Sequence, residues 1–185
     1  LDLAGEYGTK LIRHTIYKTP ETWAIKIIEK LVELGANPNQ KLYLQKGEPP
    51  INLLFEAIEY LQLQILKKLI EYGADVNEET RLHGRNSFPL MHACEVYINT
   101  EISVSNREYY NYGNKDLLDR AGKIIRSLID HGANVNQTDS NGLTALSYAK
   151  TIKNTSLIKF LETLLKKTDV KITKKKDKSN ELQIA

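Results

Sequence analysis

The sequence predicts an all-α solenoid of stacked helix pairs joined by short hairpin fingers, and three observations predict it. A five-residue phrase recurs as Gly35-Ala36-Asn37-Pro38-Asn39, Gly73-Ala74-Asp75-Val76-Asn77 and Gly132-Ala133-Asn134-Val135-Asn136. An amphipathic helix pattern ends just before each copy. A second, shorter apolar helix pattern precedes each of those. Regular recurrence on this scale is the mark of a stacked array, in which each unit buries its apolar stripe on its neighbours.

The first unit opens with Thr9-Lys10-Leu11-Ile12-Arg13-His14, a weak inner helix, followed by Ile27-Ile28 and Leu31-Val32. Apolar pairs four residues apart make one stripe on a helix. Gly35 then supplies the positive φ at which helices stop. The second unit repeats this with Asn52–Ile58, then Ile65-Leu66 and Leu69-Ile70, then Gly73. Phe88–Cys94, Ile124-Ile125, Leu128-Ile129 and Gly132 form the third. Thr144–Lys150 opens the fourth. Ala57, Ala93 and Ala149 share one position, where a small residue lets neighbouring helices approach closely. Leu54, Leu90 and Leu146 fill the next layer.

On these residues the chain resembles the ankyrin repeat family, whose units open on T-P-L-H-x-A and close on G-A-D-V-N over about 33 residues. Phe88-Pro89-Leu90, Asp139–Thr144 and the three Gly-Ala closes carry the resemblance, which spans about residues 6–166. The repeats are placed at about 6–40, 50–79, 85–138 and 139–166 within a domain of residues 1–166, with a lysine-rich tail over 167–185. Pro89 alone keeps the opening proline. Ile12, Phe55, Met91 and Ser147 stand where the family has histidine, and His14 replaces the small residue of the first unit. Glu162 follows Leu161 where an apolar residue is usual, which suits a terminal cap with a polar outer side.

Two connections exceed the family pattern. Gln40–Pro50 joins the first two repeats. Between Cys94 and Arg120 there are 25 residues where the pattern needs two, an insertion placed at about 95–119 and carrying Tyr97, Ile98, Ile102, Val104, Tyr109, Tyr110 and Tyr112. Insertions in repeat arrays map to loops on one face, often the binding face, and tyrosine is enriched at interfaces. Packing of these aromatics on the repeat flank is the competing reading.

The resemblance implies that partners touch the fingertips and inner helices. Carried onto this chain, the finger positions are Leu42, Tyr43 and Gln45 before the second repeat, Arg81, His83 and Arg85 before the third, and Ser140, Asn141 and Leu143 before the fourth. The inner-helix positions are Glu59, Tyr60, Thr151 and Ile152, with Tyr72 nearby. Asn39, Asn77 and Asn136 each follow a leucine by eight residues. Hydroxylation there is one implication of the family; hydrogen bonding to the turn backbone is the simpler one.

Catalytic chemistry finds no residues to carry it. None of His14, His83, His92 and His131 has a second ligand at metal spacing, and His131 at a helix end answers the helix dipole. Cys94, the single cysteine, sits at a core position and reads as a buried structural thiol; one thiol also excludes an internal disulfide. No phosphate-binding glycine loop or nucleophile elbow is present. No cofactor and no metal are expected.

Of the 185 residues, 41% are hydrophobic and 26% charged, as in a soluble globular chain. The net charge is +3, yet seven lysines and two aspartates between Lys166 and Lys178 hold +5 of it, so the body carries about −2. That tail could touch nucleic acid or an anionic membrane, but the interleaved aromatics of single-strand binders are missing. No apolar run could span a membrane, and no signal peptide is evident. The single methionine is Met91, so a chain opening at Leu1 reads as a fragment or processed piece. The expected function is protein–protein interaction by a cytoplasmic monomer that is not an enzyme. One form of it is an effector of an intracellular microbe acting in a host cytosol. The alternatives are the recruiting domain of a larger enzyme and a nucleic-acid or anionic-membrane binder acting through the tail.

Overall fold

A computed structural model of the chain describes residues 6–18, 20–39, 41, 52–82, 85–105 and 114–166. Within them run α1 (Glu6–Lys18), α2 (Glu21–Glu33), α3 (Leu53–Glu59), α4 (Leu63–Glu71), the strands β1 (Thr80–Leu82) and β2 (Arg85–Ser87), α5 (Pro89–Ser105), α6 (Asn114–Asp130) and α7 (Ala145–Thr151). A further helix covers 155–166. The chain divides into two compact units, Leu1–Ala145 and Leu146–Ala185. The described structure is mostly helical with one two-stranded sheet, the all-α repeat architecture expected.

In the first unit, α1, α3 and α5 pack in one row and α2 and α4 in a second that α4 continues onto α6, while α1 meets α2, α3 meets α4 and α5 meets α6. The apolar stripes meet between the rows. Ile28, Ile65, Leu66, Leu69, Ile125 and Leu128 are fully buried. Ala57 and Ala93 are shut off from solvent between inner helices, because only a small side chain fits there. In the second unit Ala149, Leu157 and Leu161 are buried, and Asn154 caps the helix over 155–166 by accepting from the Leu157 N–H at 2.8 Å. Lys150 and Glu162 pair there at 3.5 Å, which gives the polar residue after Leu161 an ionic partner.

Each outer helix stops in the same way. Gly35, Gly73 and Gly132 have φ of 97°, 86° and 91°. Their N–H groups reach Val32, Ile70 and Ile129, and the following alanines reach Leu31, Leu69 and Leu128 at 2.9–3.0 Å. This double bond pattern satisfies carbonyls that the helix end leaves open. The inner helices use the same device without glycine: Leu61 and Lys153 take φ of 53° and 56°. Asn52 caps α3, accepting from the Phe55 N–H at 3.0 Å, and Pro89 opens α5, where its missing N–H costs nothing.

The insertion corrects the loop expectation. Residues 95–105 continue α5 and 114–119 belong to α6, so both helices reach 17 residues where α3 and α4 have 7 and 9. The physical reason is packing: α5 and α6 lie against each other, and Val96, Tyr97 and Ile98 are buried. Burial also pushes the Tyr97 hydroxyl above its ordinary pKa. Tyr109, Tyr110 and Tyr112 lie outside the described residues, as do the Lys166–Lys178 lysines beyond Lys166 itself.

Candidate functional site

A line of polar contacts crosses the inner helices and ends on the finger. Arg13 on α1 pairs with Glu56 on α3 at 3.1 Å. One turn along α3, Glu59 reaches His92 Nε2 on α5 at 3.2 Å. His92 Nδ1 lies 3.8 Å from Glu95, and Glu95 pairs with Arg85 of β2. The His92 ring stacks on Phe55 with centroids 5.1 Å apart, which fixes its orientation between the two carboxylates. Glu56 is buried among apolar neighbours; desolvation raises its pKa above the usual carboxylate value, and the Arg13 guanidinium opposes that only in part.

The fingers are built by hydrogen bonds. β1 and β2 pair antiparallel with Thr80 opposite Ser87 and Arg81 opposite Asn86. In the next finger Asp139 accepts from the Asn141 and Leu143 N–H groups at 2.8 and 2.9 Å, and Gly142 takes φ 74°. The two fingers are tied together: the Asn86 N–H donates to the Ser140 hydroxyl at 2.8 Å.

A second kind of tie runs from repeat to repeat through the closing asparagines. Asn39 accepts from the Asp75 N–H at 2.8 Å and donates to the Gly73 carbonyl at 2.7 Å. Asn77 treats the Asn134 N–H and the Gly132 carbonyl alike, at 2.7 and 3.1 Å. The turn-bonding role thus belongs to the next repeat's turn. Each turn's own bond comes from the residue two places earlier, where Asn37, Asp75 and Asn134 accept from the N–H of Asn39, Asn77 and Asn136.

Of the residues singled out from sequence, Glu59, Tyr60, Arg81, Ser140, Asn141, Thr151 and Ile152 are exposed. Arg85, Tyr72 and Leu143 are half-buried. Arg85 turns to Glu95, Tyr72 sits beneath the Lys68 ammonium at 5.6 Å, and the Leu143 backbone closes the finger turn. Burial raises the Tyr72 pKa, and hydrogen bonds to Glu71 and Glu29 raise that of Lys68. Leu42, Tyr43, Gln45, His83, Tyr109, Tyr110 and Tyr112 lie outside the described residues. Thr151 and Ile152 belong to the second unit.

Sequence reasoning missed Arg13, Glu56, His92 and Glu95. A signal for Glu56 was available: a carboxylate inside Leu53-Leu54-Phe55-Glu56-Ala57-Ile58 must find a partner if that run is buried. The spacing of His92 and Glu95, three apart on a helix, was also readable.

Nothing in this geometry resembles a catalytic centre. Cys94 is buried, and desolvation pushes its thiol up to about 12, away from the thiolate a nucleophile needs. Among the described residues no three His, Cys, Asp or Glu side chains gather to hold a metal ion, and no helix is long and apolar enough to cross a membrane.

Residues 112–162 match the family model described as Ankyrin repeats (many copies). No curated protein matches the chain. The matched segment takes in α6, the Gly132–Asn136 close, the Asp139 finger and α7, which the structure builds as one repeat closing and the next opening. Helix pairs, positive-φ glycine stops, fingers and this match agree: residues 112–162 match ankyrin repeats, the described helix pairs before them repeat the same architecture, and such repeats are in general modules of protein–protein interaction.

Proposed function

We propose that this chain docks a partner protein on the inner face of its first unit, along the line of polar contacts from Arg13 to Arg85 and the finger beside it. The observation that carries this reading is the pre-ordered Glu59–His92–Glu95–Arg85 sequence of contacts, flanked by exposed Tyr60 and Arg81. Charged side chains held by neighbours lose little freedom on binding, so their orientation is set before the partner arrives. Tyrosine and arginine supply contact area and directed hydrogen bonds. The face binds; it makes and breaks no covalent bond.

A microbial effector acting on a host protein is the finer form of this reading. It is supported by the frequency of such repeats in those microbes and by a composition rich in lysine, isoleucine and asparagine. Ser140 and Asn141 extend the set of candidate contacts in the first unit, and Thr151 and Ile152 are candidate contacts of the second unit by itself.

The test is capture from a eukaryotic lysate, read by mass spectrometry, against the variant Glu59→Ala, Tyr60→Ala, Arg81→Ala with its folding checked by circular dichroism. A protein held by the native chain and lost by the folded triple variant supports this surface. Equal capture by both removes it.

A further inference from the structure

Most asparagine side chains of the described residues are put to structural use. Asn37 and Asn134 accept from N–H groups in their own turns. Asn39 and Asn77 tie successive repeats, and Asn52 and Asn154 cap helices. Asn141 differs. It is exposed on the finger before α7, and among the described residues no group holds its carboxamide. The residue after it is Gly142, and Asn141-Gly142 is the single Asn-Gly pair in the chain.

That pair carries a reaction of its own. The backbone nitrogen after an asparagine can attack the side-chain carbonyl carbon, and glycine has no Cβ to crowd the five-membered ring that forms. Here nothing lies within 4 Å of where a Gly142 Cβ would stand. The bond from Gly142 N to Asn141 Cγ forms and the Cγ–Nδ2 bond breaks. The side-chain nitrogen leaves as ammonia, taking the Gly142 amide proton. Water then opens the imide at one of its two carbonyls. One opening gives aspartate; the other gives isoaspartate, whose main chain runs through the former side-chain carbons. The reaction consumes water alone, and no electrons change hands.

The folded finger holds the attacking nitrogen back. The Gly142 N–H donates to the Asp139 carbonyl at 3.0 Å, and the Asp139 N–H donates to the Leu143 carbonyl at 3.0 Å. The Asn141 and Leu143 N–H groups both reach the Asp139 carboxylate. Attack therefore waits on opening of this turn, and short exposed loops are the parts of a fold that open most readily. We infer that Asn141-Gly142 is a self-modification site whose rate is set by opening of the Asp139–Leu143 turn, and that its isoaspartyl product keeps the turn open. Isoaspartate adds one main-chain atom inside that ring of hydrogen bonds, so the bonds can no longer all close. Aspartate leaves the main chain as it was and adds a charge beside Ser140. The inference does not rest on the docking surface, and either can fail without the other.

The test ages the full chain in mildly alkaline buffer, folded in one sample and unfolded in urea in another, and then cleaves it after lysine and arginine. The peptide Ser127–Lys150 holds Asn134, Asn136 and Asn141 together. Fragmentation in the mass spectrometer assigns the converted residue by the mass difference between carboxamide and carboxylic acid. An isoaspartyl methyltransferase with a labelled methyl donor is the probe for the isomer. Asn141 is expected to convert ahead of Asn134 and Asn136 in the folded chain, and at least about tenfold faster in urea than when folded. Asn141→Gln is expected to take no label in this peptide. Asp139→Ala, checked by circular dichroism for intact helices, is expected to convert faster than the native chain. Three results overturn the inference: a different asparagine leading in the folded chain, equal rates folded and unfolded, or conversion in urea alone, which would mean that the native turn never opens. Hydrogen exchange at the Leu143 N–H is expected to quicken in the aged chain, and unchanged exchange once isoaspartate has formed overturns the claim that this product keeps the turn open.

Discussion

Asn77 makes two bonds into the following repeat, while the neighbouring Asp75 makes the bond within its own turn. Losing one such side chain strands an N–H and a carbonyl at once. Asn77→Ala is expected to cost about 1–2 kcal/mol, read as a lower urea midpoint at unchanged slope; an unchanged midpoint would show that water replaces both bonds. Lys153 is exposed and holds φ 56°, a conformation that its Cβ resists. Lys153→Gly is therefore expected to stabilise by up to about 1 kcal/mol, and a lower melting temperature would refute that. Glu56 has its folded pKa raised by burial, so between the ordinary carboxylate value and the raised one the native state holds more protons than the unfolded chain. Its contribution to stability falls as pH rises through that window. Glu56→Gln removes this titration. It is expected to leave melting near pH 4 unchanged and to raise it at pH 8; melting that drops at pH 8 would mean that the Arg13 pairing outweighs burial.

At the scale of elements, the extended α5–α6 hairpin separates packing from display. Tyr97 is buried on α5 and Ile102, just over a turn further, is 52% exposed. Tyr97→Ala is expected to destabilise by about 3 kcal/mol and Ile102→Ser by less than about 0.5. Thermal or urea unfolding of both variants decides this, and similar small effects from the two would mean that the extension stands apart from the core. The surplus residues were plain in the sequence, but their helicity was not. Tyrosines and β-branched residues such as Val96, Ile98 and Ile102 lower helix propensity. Burial of Val96, Tyr97 and Ile98 overrides that preference.

For the molecule as a whole, α4 is the element that joins α2 to α6 across the outer row. In a stacked array stability is close to a sum of unit terms and nearest-neighbour interfaces. Leu69→Ala, at a fully buried position of α4, is expected to cost about 2–5 kcal/mol. Hydrogen exchange should accelerate in α2 and α6 as well as in α4. Acceleration confined to α4 would mean that the helix pairs hold their structure individually.

Sequence alone determined the ankyrin-type helix pairs, their glycine stops, the buried Cys94 and the finger positions Arg81 and Ser140–Leu143, because each is encoded within a few residues along the chain: a period, a turn residue, a small side chain at a fixed offset. Tertiary structure decided which polar groups meet. Arg13 finds Glu56, His92 lies between Glu59 and Glu95, and Asn39 and Asn77 reach into the next repeat. Those outcomes depend on which helix lies beside which, and the partners are separated by up to 57 residues, so no local pattern specifies them. Stacking brings such distant groups within hydrogen-bonding distance.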